Sequence, residues 1–215
     1  INRYCASGLE SIAMATAKIR TGMAECIIAG GTESMSLVPT AGWKTVPSYN
    51  IAKDEPDYYL SMGLTAEAVA KEYNVNREQQ DEFAYNSHRK AGIAISEGHF
   101  KTGILPITVE EVYLNEKGKK SIRNYIVDTD EGLRADTTVE GLSKLKPAFA
   151  MGGSVTAGNS SQTSDGAAFT IVMSERMVNE LGLKPIARLV NCASAGVHPR
   201  IMGIGPVEAV PKVLK

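Results

Sequence analysis

Three cysteines and three histidines are the side chains of this 215-residue chain best suited to covalent or proton-transfer chemistry. Cys5 stands out by its surroundings, Asn2-Arg3-Tyr4-Cys5-Ala6-Ser7-Gly8-Leu9-Glu10. Small and apolar residues follow it at near-helical spacing, so the thiol falls just before or within the first turn of a helix. Unpaired backbone N–H groups and the positive end of the helix dipole favour a thiolate there. A thiolate attacks a carbonyl or a thioester. The same composition also fits an inert thiol, because a buried cysteine behaves as a small hydrophobe. Cys26 lies in an apolar run and reads as core, and Cys192 reads as a strand-end residue. His198, before Pro199, reads as a surface loop residue rather than a catalytic base.

No Cys-x-x-Cys spacing occurs, and His88, His99 and His198 are as scattered as the cysteines, so no metal site is expected. The odd cysteine count argues against a secreted disulfide framework and for a reducing compartment such as the cytoplasm. Neither Gly30-Gly31-Thr32-Glu33 nor the glycine-containing stretch 152–161 has the spacing of a P-loop or a dinucleotide fingerprint. A formal net charge of −1 offers no basic excess for nucleic acid or a membrane surface. No apolar run reaches the ~18 residues of a membrane-spanning helix.

Residues 7–20 are rich in alanine and carry few charges, which predicts a helix buried on several sides. Ser7 and Glu10 have capping-box spacing, and Gly22 is a natural stop. Residues 25–29 read as a short buried strand. Helix, short loop and buried strand in that order predict an α/β domain with a parallel sheet. Residues 30–57, with Pro39, Pro47 and Pro56, read as a long loop. Residues 64–73 form a short helix, and Asn76 with Gln79 caps a longer one with a stripe of Phe83, Ala84, Ser87, Ala91, Ala94 and Ile95. Residues 105–114 read as a strand followed by a turn at 116–119. Strands are also predicted over 167–173 and 185–190, with a helix over 174–181 between them. Pro206 suits the start of a final helix.

Taken together, the motifs change the weight of these readings. The segment from Asn2 to Ile12 resembles the nucleophile segment of thiolases, and Ala29-Gly30-Gly31-Thr32-Glu33-Ser34-Met35-Ser36 resembles the next segment of that family. Met62-Gly63-Leu64-Thr65-Ala66-Glu67 resembles the start of the family's coenzyme A-binding loop domain. Lys146-Pro147-Ala148-Phe149 and Ser154-Val155-Thr156-Ala157-Gly158-Asn159-Ser160-Ser161 resemble its end. Asp165-Gly166-Ala167-Ala168 and Met202-Gly203-Ile204-Gly205-Pro206 follow in family order. The resemblance implies an α/β, thiolase-like fold in three parts. Residues 1–40 would be a partial N-terminal domain with the nucleophile helix, 41–149 the coenzyme A-binding loop domain, and 150–215 the return to the α/β core and the start of the C-terminal half.

The resemblance also implies a mechanism. Cys5 would attack the 3-keto carbonyl of a 3-ketoacyl-CoA, hold the shortened acyl group as a thioester and pass it to a second coenzyme A, with its own N–H as an oxyanion donor. Met62, Arg134, Ala157 and Ser161 match coenzyme A contacts: Met62 and the loop of Ala157 and Ser161 along the pantetheine, Arg134 near the nucleotide end. Coenzyme A and acyl-CoA would be substrates, with no permanently bound cofactor. Ser61 stands where short-chain enzymes of the family commonly place a histidine, which points to degradative fatty acid β-oxidation. The alternatives are a biosynthetic acetoacetyl-CoA thiolase and a non-catalytic acyl-CoA-binding relative. The resemblance further implies a homodimer or homotetramer in the cytoplasm or an organelle matrix. The family's Asn, His and second Cys motifs are not present, so the chain reads as an internal segment lacking both ends. By itself it is expected to be inactive.

Overall fold

A computed structural model describes residues 1–40 and 42–215. A 3₁₀ turn, Tyr4–Ala6, leads into α1, Ser7–Arg20, then β1, Cys26–Ser34, and α2, Tyr49–Asp54. Next come α3, Met62–Glu72, and α4, Arg77–Ser96, followed by β2, Ile107–Leu114, and β3, Lys120–Val127. The last elements are α5, Val139–Ser143; β4, Asp165–Met173; α6, Glu175–Glu180; and α7, Gly205–Val213. The chain divides into two compact units, Ile1–Leu60 with Thr163–Lys215, and Ser61–Gln162. The second unit thus begins and ends later than a 41–149 division would have it, and the boundary residue Ala41 lies outside the described residues.

In the first unit β1 pairs with β4 in antiparallel register, from Cys26 opposite Met173 to Ser34 opposite Asp165. The expected parallel arrangement is therefore corrected: among the described residues both strand pairs are antiparallel. The partner of β1 arrives from far along the chain instead of through the next helix. Strand alternation puts Ile27 and Ala29 on the face that α1 packs against, and there Ala29 and Ala15 are buried. Cys26 shares the opposite face with Ile28, so it is exposed and not core. Gly30 is required by close approach, because a Cβ there would lie 2.2 Å from the Ala168 carbonyl oxygen.

Only Ala15 of α1 is buried, and Leu9 and Met14 are exposed, so this helix is not enclosed on several sides. A two-stranded sheet covers one face of a helix at most. Its C-terminus closes as predicted at Gly22, with φ +75°, where the N–H groups of Gly22 and Met23 donate to the carbonyls of Ile19 and Lys18. Residues 30–57 are less irregular than expected: β1 continues through Ser34, and α2 and a 3₁₀ turn at Pro56–Tyr59 follow. No strand forms over 185–190. That stretch begins at Pro185 and pairs with no strand among the described residues.

The second unit is built on α3 and α4. The Asn76 side chain accepts from the Gln79 N–H while Gln79 accepts from the Asn76 N–H, so the predicted capping box is complete. The covered side of α4 runs through Asp81, Ala84, Tyr85, His88, Ala91 and Ile95, whereas Phe83 and Ser87 face solvent. The stripe is rotated from the expected one because a carboxylate, Asp81, occupies its innermost position. β2 and β3 form a hairpin whose turn is organised by Asn115: its side-chain oxygen accepts from the N–H groups of Lys117 and Lys119.

Candidate active site

Cys5 is exposed in the 3₁₀ turn that runs directly into α1. The residue before it, Tyr4, has φ +47°, a left-handed conformation that costs a non-glycine residue roughly 1 kcal/mol or more. Local hydrogen bonds hold it there. The Tyr4 N–H donates to Asn2 Oδ1 at 3.0 Å, and Ser7 Oγ donates to the Tyr4 carbonyl at 2.8 Å. The Arg3 N–H in turn donates to Ser7 Oγ at 2.8 Å. The Arg3 guanidinium pairs with Glu10 and donates to Ser194 Oγ. Ser7 and Glu10 therefore do not make the expected capping box: Ala6 is the N-cap, and both polar side chains are committed to the turn. The helix start is left without a side-chain cap next to the thiol.

The other four residues singled out by sequence belong to the second unit. Met62 opens α3 and is 60% exposed. Behind it Gly63 is buried under the Phe149 ring; a Cβ at Gly63 would lie 2.1 Å from that ring, so only glycine lets the ring sit there. Ala157 and Ser161 are exposed on one loop, while Val155 and Thr156 beside them are buried. Arg134 is exposed on the connection between β3 and α5, and its N–H donates to Nδ1 of His88 on α4 at 3.3 Å. Ala157 and Ser161 thus share a loop, Met62 stands on the helix to which that loop is bonded, and Arg134 is held separately through α4.

Sequence reading missed the side chains that fasten this loop. The Glu67 carboxylate on α3 accepts from the Ser154 N–H at 3.0 Å, the Val155 N–H at 2.9 Å and Ser154 Oγ at 3.2 Å. Gln80 Nε2 donates to Ser154 Oγ at 2.9 Å. Asp81 accepts from Arg77 Nε at 2.7 Å and from Asn159 Nδ2 at 3.0 Å. Glu67 and Asn159 lie within recognisable motifs, but nothing in those motifs says that they bond across the fold. The visible signal for Asp81 was a lone carboxylate at an apolar-stripe position, four residues after Arg77.

His198 caps the 3₁₀ turn Pro199–Ile204, its Nδ1 accepting from the Arg200 N–H, and Cys192 is exposed. Asp165, in the Asp-Gly-Ala-Ala motif, has its carboxyl held below the usual range by hydrogen bonds from the Ser36 hydroxyl and N–H. Among the described residues no three His, Cys, Asp or Glu side chains gather where a metal ion could be held. No helix among them is long and apolar enough to cross a membrane.

The sequence matches the thiolase N-terminal domain family over residues 1–176. It is 50% identical over 215 residues to the 3-ketoacyl-CoA thiolase of Bacillus subtilis, covering all of this chain and 55% of that one. Among solved structures, the dimeric peroxisomal thiolase of Saccharomyces cerevisiae superposes with a TM-score of 0.86 at 38% identity, over all of this chain and 53% of that one. The Bacillus anthracis acetyl-CoA acetyltransferase gives 0.82 at 39%, over all of this chain and 55% of that one. The chain spans about half the length of these relatives. With the family match over most of its length and the thiolase-like α/β fold in both comparisons, this chain belongs to the thiolase family.

Proposed function

We propose that the protein carrying this chain is a 3-ketoacyl-CoA thiolase of fatty acid β-oxidation, with Cys5 as its nucleophile. The observation that carries the reading is an exposed thiol at an uncapped helix start, behind a left-handed Tyr4. The Cys5 thiolate adds to the C3 carbonyl of the substrate. The C2–C3 bond then breaks, its electron pair leaving on C2 as the enolate of acetyl-CoA, which is protonated. The shortened acyl group remains on Cys5 as a thioester. The sulfur of a second coenzyme A, having lost its proton, attacks that thioester and expels the Cys5 thiolate. The Cys5 N–H is a donor for the oxyanion in each addition step.

In this reading Met62, Ala157 and Ser161 line the pantetheine, and Arg134 meets the nucleotide end, where a guanidinium can stack or bind phosphate. Coenzyme A is a substrate rather than a resident cofactor. The 50% identity to the Bacillus subtilis 3-ketoacyl-CoA thiolase and Ser61 before Met62 support the degradative assignment. The likeness to the Bacillus anthracis acetyl-CoA acetyltransferase favours a second reading, condensation of two acetyl-CoA to acetoacetyl-CoA. A homodimer is the proposed assembly, by analogy with the dimeric yeast relative, in the cytoplasm or an organelle matrix.

The test is to treat the longest natural polypeptide containing this sequence with 3-ketoacyl-CoA in the absence of free coenzyme A and map the added mass by peptide analysis. The acyl group is expected on Cys5. An acyl group found only elsewhere, or none at all, removes Cys5 from the mechanism. A comparison of kcat/KM for four-carbon and eight- to ten-carbon substrates separates the two readings: preference for the four-carbon substrate returns the protein to the biosynthetic branch.

A further inference from the structure

The Asp81 carboxylate is 1% exposed. Taking a carboxylate out of water costs several kcal/mol even after relaxation, and well-packed apolar side chains in place of such a pair are often as stable or more so. A buried carboxylate is therefore weak support for stability as such, and its partners indicate what else it fixes. Asp81 has two. Arg77 donates to it from the same helix and also reaches the carbonyls of Leu142 and Leu145, at 2.7 and 3.0 Å. Asn159 donates to it from the loop that bears Ala157 and Ser161.

The Asn159 side chain is fully used. Its amide nitrogen donates to Asp81 and to the Ser154 carbonyl, and its amide oxygen accepts from the Thr156 N–H at 2.7 Å. It thereby ties one end of the segment 154–159 to the other. Inside the tie, Thr156 is fully buried, and its hydroxyl oxygen accepts from the Gly158 and Asn159 N–H groups. Ser160 Oγ donates to the Thr156 carbonyl at 2.6 Å. Only Ala157 emerges, between residues whose backbones are bonded inward. Such an arrangement sets the direction of the Ala157 peptide groups before any ligand arrives, which lowers the ordering cost of binding.

We infer that Asn159, oriented by buried Asp81, is a positioning residue that presets the 154–161 loop for coenzyme A. The inference rests on the reading that Ala157 and Ser161 meet the pantetheine. Neither Asn159 nor Asp81 needs to touch the ligand: one shapes the loop, and the other holds the first in place.

The experiment uses the longest natural polypeptide containing this sequence, with coenzyme A as the probe. Asn159→Asp sets two carboxylates at hydrogen-bond distance in a buried site and should force the loop away from α4. The swap Asp81→Asn with Asn159→Asp restores a donor–acceptor pair. In that double variant the amide introduced at position 81 can donate to the carboxylate introduced at position 159 and still accept from Arg77. The single variant is expected to weaken coenzyme A binding by calorimetry about tenfold or more, the factor that 1.4 kcal/mol represents. The double variant should recover part of that loss, because the carboxylate at position 159 regains a partner at position 81 but can no longer donate to the Ser154 carbonyl. Iodoacetamide labelling of Cys5 and kcat at saturating coenzyme A should stay within about threefold throughout, well inside that tenfold criterion. If Asn159→Asp does not fold, Asn159→Ser takes its place with the same tenfold criterion. Unchanged coenzyme A affinity in a folded single variant overturns the inference, as does a loss that the swap does not reduce at all. A wild-type protein that binds no coenzyme A overturns the underlying reading of the loop and this inference with it.

Discussion

Around Cys5 every hydrogen bond that shapes the turn is made at the exposed surface, whereas around Ala157 most are half-buried and centre on two carboxylates, Glu67 and Asp81. The Arg3–Glu10 pair leaves both side chains a third to a half exposed, and such pairs contribute about 0–1 kcal/mol. Asp81, by contrast, is out of water with two partners. In the proposed mechanism the turn would supply one reactive atom, the Cys5 sulfur, and apart from the Arg3–Ser194 bond its supports are short-range. As proposed, the loop would contribute shape instead of a reactive atom, and that shape is held by Glu67, Asp81 and Asn159. Substitutions should therefore fail differently in the two regions: by removal of a reactive group in the first, by loss of shape in the second.

The largest expected effect breaks the first region. Cys5→Ala should lower thiolysis of 3-ketoacyl-CoA by on the order of 10⁴-fold or more, as removal of a nucleophile that acts with partners does elsewhere, while coenzyme A affinity changes little. All three cysteines are exposed, so access alone does not rank them. Only Cys5 lies at a helix start, and brief iodoacetamide treatment should label it well ahead of Cys26 and Cys192. Bound coenzyme A should slow that labelling. Equal rates at all three by peptide mapping would sink the argument from helix position.

The next effect breaks the second region. Asp81→Ala removes the acceptor shared by Arg77 and Asn159 and leaves a guanidinium poorly matched on α4. Truncating one member of a buried pair costs about 3–5 kcal/mol. A clearly lowered unfolding midpoint is expected, with Cys5 labelling in the still-folded protein close to wild type. A midpoint indistinguishable from wild type would mean that the 154–161 loop is not held through α4.

The two regions also differ in how legible they are in the sequence. The helix after the Cys5 turn can be read because its signals are local: an alanine-rich stretch and a glycine stop at Gly22. What local pattern does not show is that Ser7 and Glu10 are taken up by Tyr4 and Arg3 instead of capping the helix. Asn76 with Gln79 does cap α4, where no such competitor stands nearby. The loop is found through its motif, but its fastening is not, because Glu67 and Asp81 reach it from 87 and 78 residues away. The pairing of β1 is misread for the same reason: adjacency in sequence suggests a parallel neighbour, and the actual one, β4, starts at Asp165. Cys26 and Ile28 read as core because they belong to an apolar run, yet in a sheet covered on one side, alternate residues of any run face outward.

The smallest expected effect tests whether exposed hydrogen bonds in the first unit behave as weakly as the comparison requires. Asp165, at the start of β4, accepts from the Ser36 hydroxyl and the Ser36 N–H just after β1. These bonds favour the charged carboxylate, chiefly through the Ser36 hydroxyl, and hold the group below its ordinary value near 3.8. A carboxyl depressed in the folded state binds its proton more readily in the unfolded one. The stabilisation is therefore complete above the ordinary carboxylate range and is lost as the pH falls through the folded value. Ser36→Ala removes the larger cause and leaves the backbone donor. The Asp165 carboxyl midpoint, followed by NMR titration, should move up toward its ordinary value without fully reaching it. The acid-side fall in unfolding midpoint should be smaller than in wild type and level off at higher pH, because the window between the unfolded and folded values narrows. Near neutral pH the variant should lose far less stability than Asp81→Ala, because Asp165 stands in water and solvent screens what it gains. A Ser36→Ala loss at neutral pH as large as that of Asp81→Ala would erase the distinction between the surface-held turn unit and the loop held from within.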